Sequence, residues 1–176
     1  MAFANTIRFP GDYSLSKDQV EITTATGQIL PVRMGTITEL SIFEDIESNA
    51  LTGAMTIIDS SNIISKTPLQ GNERLAFKLS TPVSSDSEDS EDVVIDASEE
   101  TGSPFRIYAI TDRHTESETT MSYTIHFCSR EFLRSTRTRV SKAYDGPLHQ
   151  TAIQILRDQT GLDSLKNFTY EPTRNS

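Results

Sequence analysis

The period-two alternation of Thr120 to Cys128 constrains this chain most. Met121, Tyr123, Ile125 and Phe127 are apolar, with Ser122, Thr124 and His126 between them. That period matches a half-buried strand and not a helix. Phe105, Ile107, Ala109 and Thr111 alternate in the same way. The polar stretch Arg113 to Glu118 reads as the turn that pairs the two runs into a hairpin. Upstream, Arg74 to Ser80 puts Leu75, Phe77 and Leu79 on one face and Arg74, Ala76 and Lys78 on the other. Ala50 to Asp59 is a further strand. Thr36 to Phe43 is another, with a phase shift at Glu39-Leu40 that predicts a bulge. Val20 to Thr26 and Gln28 to Met34 form a hairpin about Gly27, and Pro31 assigns the second run to a sheet edge.

After Cys128 the pattern turns helical. Ser129 is placed to cap a short helix holding Phe132 and Leu133. A second helix is marked by Asp145 or Gly146 as cap, Pro147 in its first turn and Gly161 as its end. Leu148, Ala152, Ile153, Ile155 and Leu156 supply its apolar side. The expected class is mainly β (α+β): an antiparallel β-sandwich or half-barrel with flanking C-terminal helices. The expected organisation is an N-terminal arm over 1–19, with a turn at Pro10-Gly11. A β domain follows over 20–137, then a helical segment over 138–176 that begins a second domain. Within the β domain, 82–103 reads as an acidic loop. Asp86, Glu88, Asp89, Glu91, Asp92, Asp96, Glu99 and Glu100 occur there with no base, so a solvated mobile loop is expected. The spacing lacks the glycine and distal glutamate of a calcium loop.

Charge and cysteine usage narrow the function. The net charge is −9, a poor match to non-specific nucleic-acid binding, which rests on neutralising phosphates. One cysteine, Cys128, allows no intrachain disulfide and fits a reducing compartment. Met1 to Pro10 has no basic stretch leading into an apolar run, so no secretory signal is expected. No stretch approaches 18 apolar residues, so no transmembrane helix is expected. Apolar content is 35%, low for a compact globule, which leaves burial to be completed against partners.

Catalytic signals are weak. His126 and Cys128 share a strand face, which would suit a thiolate–imidazole pair, but Cys128 ends an apolar run. His114 and His149 lack metal-ligand spacing with each other and with His126, and there is no glycine-rich phosphate loop. No catalytic residue, cofactor or metal is expected. One charge feature runs against the acidic average: Arg130, Arg134, Arg137, Arg139 and Lys142, with Glu131 the only acid among them. Helical spacing lines up the first three, as a solvated helix face or as a docking face for an acidic partner such as another copy's acidic loop.

The order of segments resembles a known family. Its elements are the strand Thr36 to Leu40, the break Glu44-Asp45, and Asp59-Ser60-Ser61-Asn62-Ile63. Gly71-Asn72-Glu73 then leads into Leu75-Ala76-Phe77. Phe105 to Tyr108, Ile125 to Phe127, and Ser141-Lys142-Ala143-Tyr144 before the Pro147 helix complete it. This resembles the N-terminal part of the baseplate hub protein of T-even-like contractile-tailed phages, over about residues 36–160. The chain departs from the family in its long acidic insert. It also ends at Ser176, less than half the usual hub length. The resemblance implies a tube-like β domain over 20–137 and a trimeric ring that adapts a hexameric tail tube to a central spike. The implied partners are further copies of the chain, the tail tube protein, the spike protein and other baseplate proteins. No membrane is implied, and DNA is only passing cargo. The implied location is the virion tail, assembled in the host cytoplasm, and the implied role is binding, not catalysis. Two other readings stand beside it: a free-standing β-rich protein-interaction module outside a virion, and a small hydrolase using Cys128 and His126.

Overall fold

The alternating strands place their apolar faces on one shared core in the computed structural model. It describes residues 14–15, 20–48, 50–61, 63–66, 69, 71–80, 94–101, 103–166 and 168–172. The fold is mainly antiparallel β. Ten strands are described: β1 (Ser14–Leu15), β2 (Glu21–Thr23), β3 (Ile29–Pro31), β4 (Ile37–Phe43), β5 (Thr52–Asp59), β6 (Arg74–Ala76), β7 (Lys78–Ser80), β8 (Val94–Asp96), β9 (Phe105–Ser117) and β10 (Thr120–Cys128). The helices are α1 (Ile63–Lys66), α2 (Arg130–Arg137) and α3 (Leu148–Arg157). One sheet runs β3-β2-β6-β9-β10-β5-β4 and a smaller one runs β1-β7-β8, with every pairing antiparallel.

Both sheets feed one core. Met55, Ile57, Leu75, Ile107, Tyr123 and Ile125 come from the large sheet, and Leu15, Leu79 and Ala97 from the small sheet and its margin. Phe77, Phe105 and Phe127 meet at its centre, with ring centroids 4.9 to 5.8 Å apart. Gly53 on β5 sits under this cluster. A Cβ there would collide with the Phe127 ring and lie 2.6 Å from the Ser41 carbonyl oxygen, so the site admits no side chain.

Several expectations match. β2 and β3 form the hairpin about Gly27, whose φ is +85°, and β3 with Pro31 is an edge of the large sheet. β4 carries the expected irregularity, but its register against β5 shifts between Ile37 and Glu39, one step ahead of Glu39-Leu40. Others need correction. Residues 74–80 form two strands and not one, because the chain passes from the large sheet to the small one at Phe77. At such a crossing both sides are covered, and Ala76 is buried with Leu75 and Phe77 instead of facing out. The polar stretch 113–118 is not the hairpin turn. β9 continues to Ser117 and the turn is Glu118–Thr119. Residues 111–119 are all exposed, so this part of the ribbon has no core face to demand apolar residues. Asp112 absorbs a register shift with a φ of 51°.

The acidic loop is also corrected in part. Residues 81–93 lie outside the described residues. Val94–Asp96 form a strand, and Ala97 is buried with its N–H donating to the Phe77 carbonyl at 3.0 Å. Counter-charges hold this return: Asp96 and Glu100 lie 3.4 and 3.6 Å from Lys78, and Glu99 lies 2.6 Å from Arg74. In the expected arm, Ser14–Leu15 belong to the β body, and the rest of 1–19 lies outside the described residues apart from these two. Ser129 holds the N-cap position of α2, yet its buried hydroxyl makes no capping bond. Pro147, not Asp145 or Gly146, is the N-cap residue of α3, and α3 ends at Arg157, short of Gly161.

Candidate functional site

The basic run divides into two groups. Arg130 and Arg134 lie one turn apart on α2, and both reach the same carboxylate oxygen, Asp163 Oδ2, at 2.5 and 2.7 Å. Beside them Glu131 is 7% exposed and accepts a 2.7 Å hydrogen bond from the Ser164 hydroxyl. Lys166 Nζ stands 4.0 Å from the other Glu131 oxygen. Residues 163–166 thus strap the end of the α3 region onto α2. The expectation of one open arginine face is revised: Arg130 and Arg134 are committed within the chain. Arg137, Arg139 and Lys142 remain exposed. Among the described residues neither Arg137 nor Arg139 is in an ion pair, and Lys142 Nζ lies 5.4 Å from the Tyr144 ring centroid.

α3 has no buried residue, and Leu148 is 72% exposed. The tail returns along it. His149 stacks on Tyr170 at 5.1 Å, and the Arg157 guanidinium lies 5.3 Å from the Phe168 ring centroid. The polar contacts of Asp163, Ser164 and Lys166 tie this segment to α2.

The motifs carrying the family resemblance are two buried carboxylates that order backbone. Asp59 is 4% exposed at the end of β5. Its Oδ1 accepts from the Ser61 N–H at 2.8 Å, and its Oδ2 from the Ile63 N–H at 2.6 Å, the first residue of α1. The buried Tyr123 hydroxyl donates to Oδ2 at 3.3 Å. Burial and the Asp59 charge push the Tyr123 phenol well above its ordinary range. Glu73, 1% exposed, accepts from the N–H groups of Gly71 and Asn72 at 2.7 and 3.0 Å, and Gly71 has a φ of +87°. Asp59 and Glu73 bracket the crossover from β5 to β6 and fix its ends.

The Cys128–His126 pair lacks nucleophilic character. Cys128 is fully buried and burial pushes its thiol up to about 11, so the thiolate is absent near neutrality. His126 Nε2 is instead 2.8 Å from the Thr111 hydroxyl. Among the described residues no group of His, Cys, Asp or Glu is arranged to hold a metal ion, and no helix is long and apolar enough to cross a membrane.

What the sequence pattern missed is the margin of β4. This strand is the outer edge of the large sheet, and Phe43 at its end is 60% exposed. Beside it an apolar groove of about 690 Å³ runs between the two sheets, walled by Leu40, Ile42 and Phe43 on one side and Leu15, Leu79 and Ile95 on the other. No local signal marks it, because the walls come from four separate strands. No protein-family model matches the chain, and no curated protein sequence matches it.

Proposed function

We propose that the chain is a structural subunit of a contractile phage tail baseplate hub. In this reading its tube-like β domain joins copies into a ring between tail tube and spike. One observation carries the proposal beyond the resemblance: β3 and β4 end the seven-stranded sheet, and among the described residues no strand pairs with the outer side of either. A unit with an open edge at each side can meet its neighbours head to tail, and such contacts close into a ring when the rotation permits. The exposed apolar residues Ile29 on β3 and Phe43 and Ile46 at β4 suit edges covered in an assembly. Arg137, Arg139 and Lys142 form the remaining candidate docking group, with an acidic surface of a neighbour as counterpart. Function in this reading is binding, with no cofactor.

Native mass spectrometry of the protein from its natural source tests this. A trimer or hexamer, or co-purifying tube and spike proteins, is the expected result. A strict monomer with no partner refutes the ring and favours the free-standing interaction module. Reversing Arg137 and Arg139 to Glu should weaken assembly and leave the circular dichroism spectrum unchanged. Undiminished assembly would remove that face from the docking surface.

A further inference from the structure

We propose that Arg106, in a row of side chains that crosses four strands of the large sheet, anchors a binding site for a phosphate oxyanion. The row follows from strand register. Thr23 on β2 is paired with Arg74 on β6, Arg74 with Arg106 on β9, and Arg106 with Cys128 on β10. Directly paired residues project from one face of a sheet. Their chain neighbours Ile22, Leu75 and Phe105 belong to the core, so the row lies on the face turned away from it. Two arginines side by side in one ladder repel each other. Arg130, which opens α2 two residues beyond Cys128, adds a third guanidinium whose charge acts on Arg106.

The nearby acids are shared unevenly among these cations. Arg74 holds Glu99 at 2.6 Å, and Arg130 holds Asp163 at 2.5 Å. Arg106 is half-buried, and among the described residues its side chain has neither an ion pair nor a hydrogen bond. Burial, and after it the charges of Arg74 and Arg130, lower its pKa from the ordinary value, with Glu99 opposing as a more distant charge. A guanidinium still stays protonated near neutrality. Thr23, on the other side of Arg74, is 4% exposed and its hydroxyl has no hydrogen-bond partner. A bound anion would satisfy both the crowded guanidinium and the buried hydroxyl. β2 and β9 flank β6 at about 4.8 Å each, so an ion seated over Arg74 is within reach of donors from both neighbours. A carboxylate has two oxygens in one plane and suits a single guanidinium, as Glu99 already serves Arg74. The tetrahedral oxygens and double charge of phosphate suit donors arriving from several strands. The Arg74 and Arg130 side chains are 36% and 28% exposed, so the site is open to solvent. It goes beyond the hub reading and stands without it.

The test uses the full chain and inorganic phosphate, with sodium chloride at equal ionic strength as the reference. A ligand that binds only the folded chain stabilises it in step with its occupancy. Phosphate should therefore raise the melting temperature saturably above the chloride reference, and titration calorimetry should give about one phosphate per chain. Arg106→Gln should weaken the phosphate affinity about tenfold or more. In chloride the same variant should melt no lower than the native chain, because it relieves a repulsion and breaks no ion pair. Arg113→Gln, which removes an equal charge from the exposed part of β9, should keep the native affinity. The absence of a saturable rise over chloride overturns the proposal. An equal phosphate response in Arg106→Gln overturns it too, because the ion then acts elsewhere or by screening alone. If Arg106→Gln does not fold, Thr23→Val decides. It should lower the phosphate affinity without loss of stability in chloride, and unchanged affinity overturns the site.

Discussion

Replacing Asp59 with Ala should unfold the β5–β6 crossover at a cost that the structure allows to be worked out. The carboxylate receives two backbone N–H groups at 2.8 and 2.6 Å and the Tyr123 hydroxyl at 3.3 Å. Hydrogen bonds to a charged group contribute about 1.5–3 kcal/mol each, and leaving a buried partner unsatisfied costs about 1–3 kcal/mol. Ser61 is exposed and its N–H regains water after the substitution. Ile63 is half-buried and Tyr123 is 1% exposed, so their donors do not recover fully. The expected loss is about 3 kcal/mol, or a fall in melting temperature of roughly 6–12 °C for a domain of this size. Asp59→Asn keeps one acceptor oxygen and should lose about half as much. Tyr123→Phe removes only the longest bond and should cost about 1 kcal/mol. Because Asp59 and Tyr123 share an interaction, the double variant should lose less than the sum of the singles. Urea unfolding followed by far-ultraviolet circular dichroism gives all four values. A loss under about 1 kcal/mol for Asp59→Ala, or strict additivity with Tyr123→Phe, would refute the claim that this carboxylate organises the crossover.

Further outcomes follow from other sites. Gly53→Ala forces a methyl group against the Phe127 ring and the Ser41 carbonyl, and should destabilise by about 1–3 kcal/mol or more in the same urea titration. Cys128 should resist a thiol reagent in native protein and react only on unfolding. Its folded pKa of about 11 lies above the ordinary 9.0, so its stabilising contribution is complete below pH 9 and is lost as pH rises through 11. The corresponding loss is about 2–3 kcal/mol, which Cys128→Ala should abolish from the alkaline limb of the stability curve. Asp163→Asn, chosen because Asn tolerates the φ of 46° there, frees Arg130 and Arg134. It should cost about 1 kcal/mol and make residues 158–172 more susceptible to limited proteolysis. Deleting Val94 to Glu100 removes β8, buried Ala97 and the partners of Arg74 and Lys78, so the β signal should fall. A fully retained signal would show that this return is dispensable.

The sequence by itself determined the strands with one wet and one dry face. The interval 120–128, the hairpin about Gly27 and the edge position of Pro31 are all legible because a strand's side-chain period is local information. Helical existence after Ser129 is local too. Tertiary structure decided whatever depends on residues far apart in the chain. Ala76 is buried because the chain changes sheets at Phe77, and Val94 to Ala97 are ordered because Lys78 and Arg74 face their acids. The basic run gives no sign that Asp163, some thirty positions on, neutralises two of its arginines. The motif carboxylates Asp59 and Glu73 are visible as letters, but only the fold shows them buried against backbone N–H groups. The groove beside β4 exists only once strands separated by most of the β domain are brought together. Periodicity is written along the chain, whereas burial, charge pairing and cavities are properties of what lies across from it.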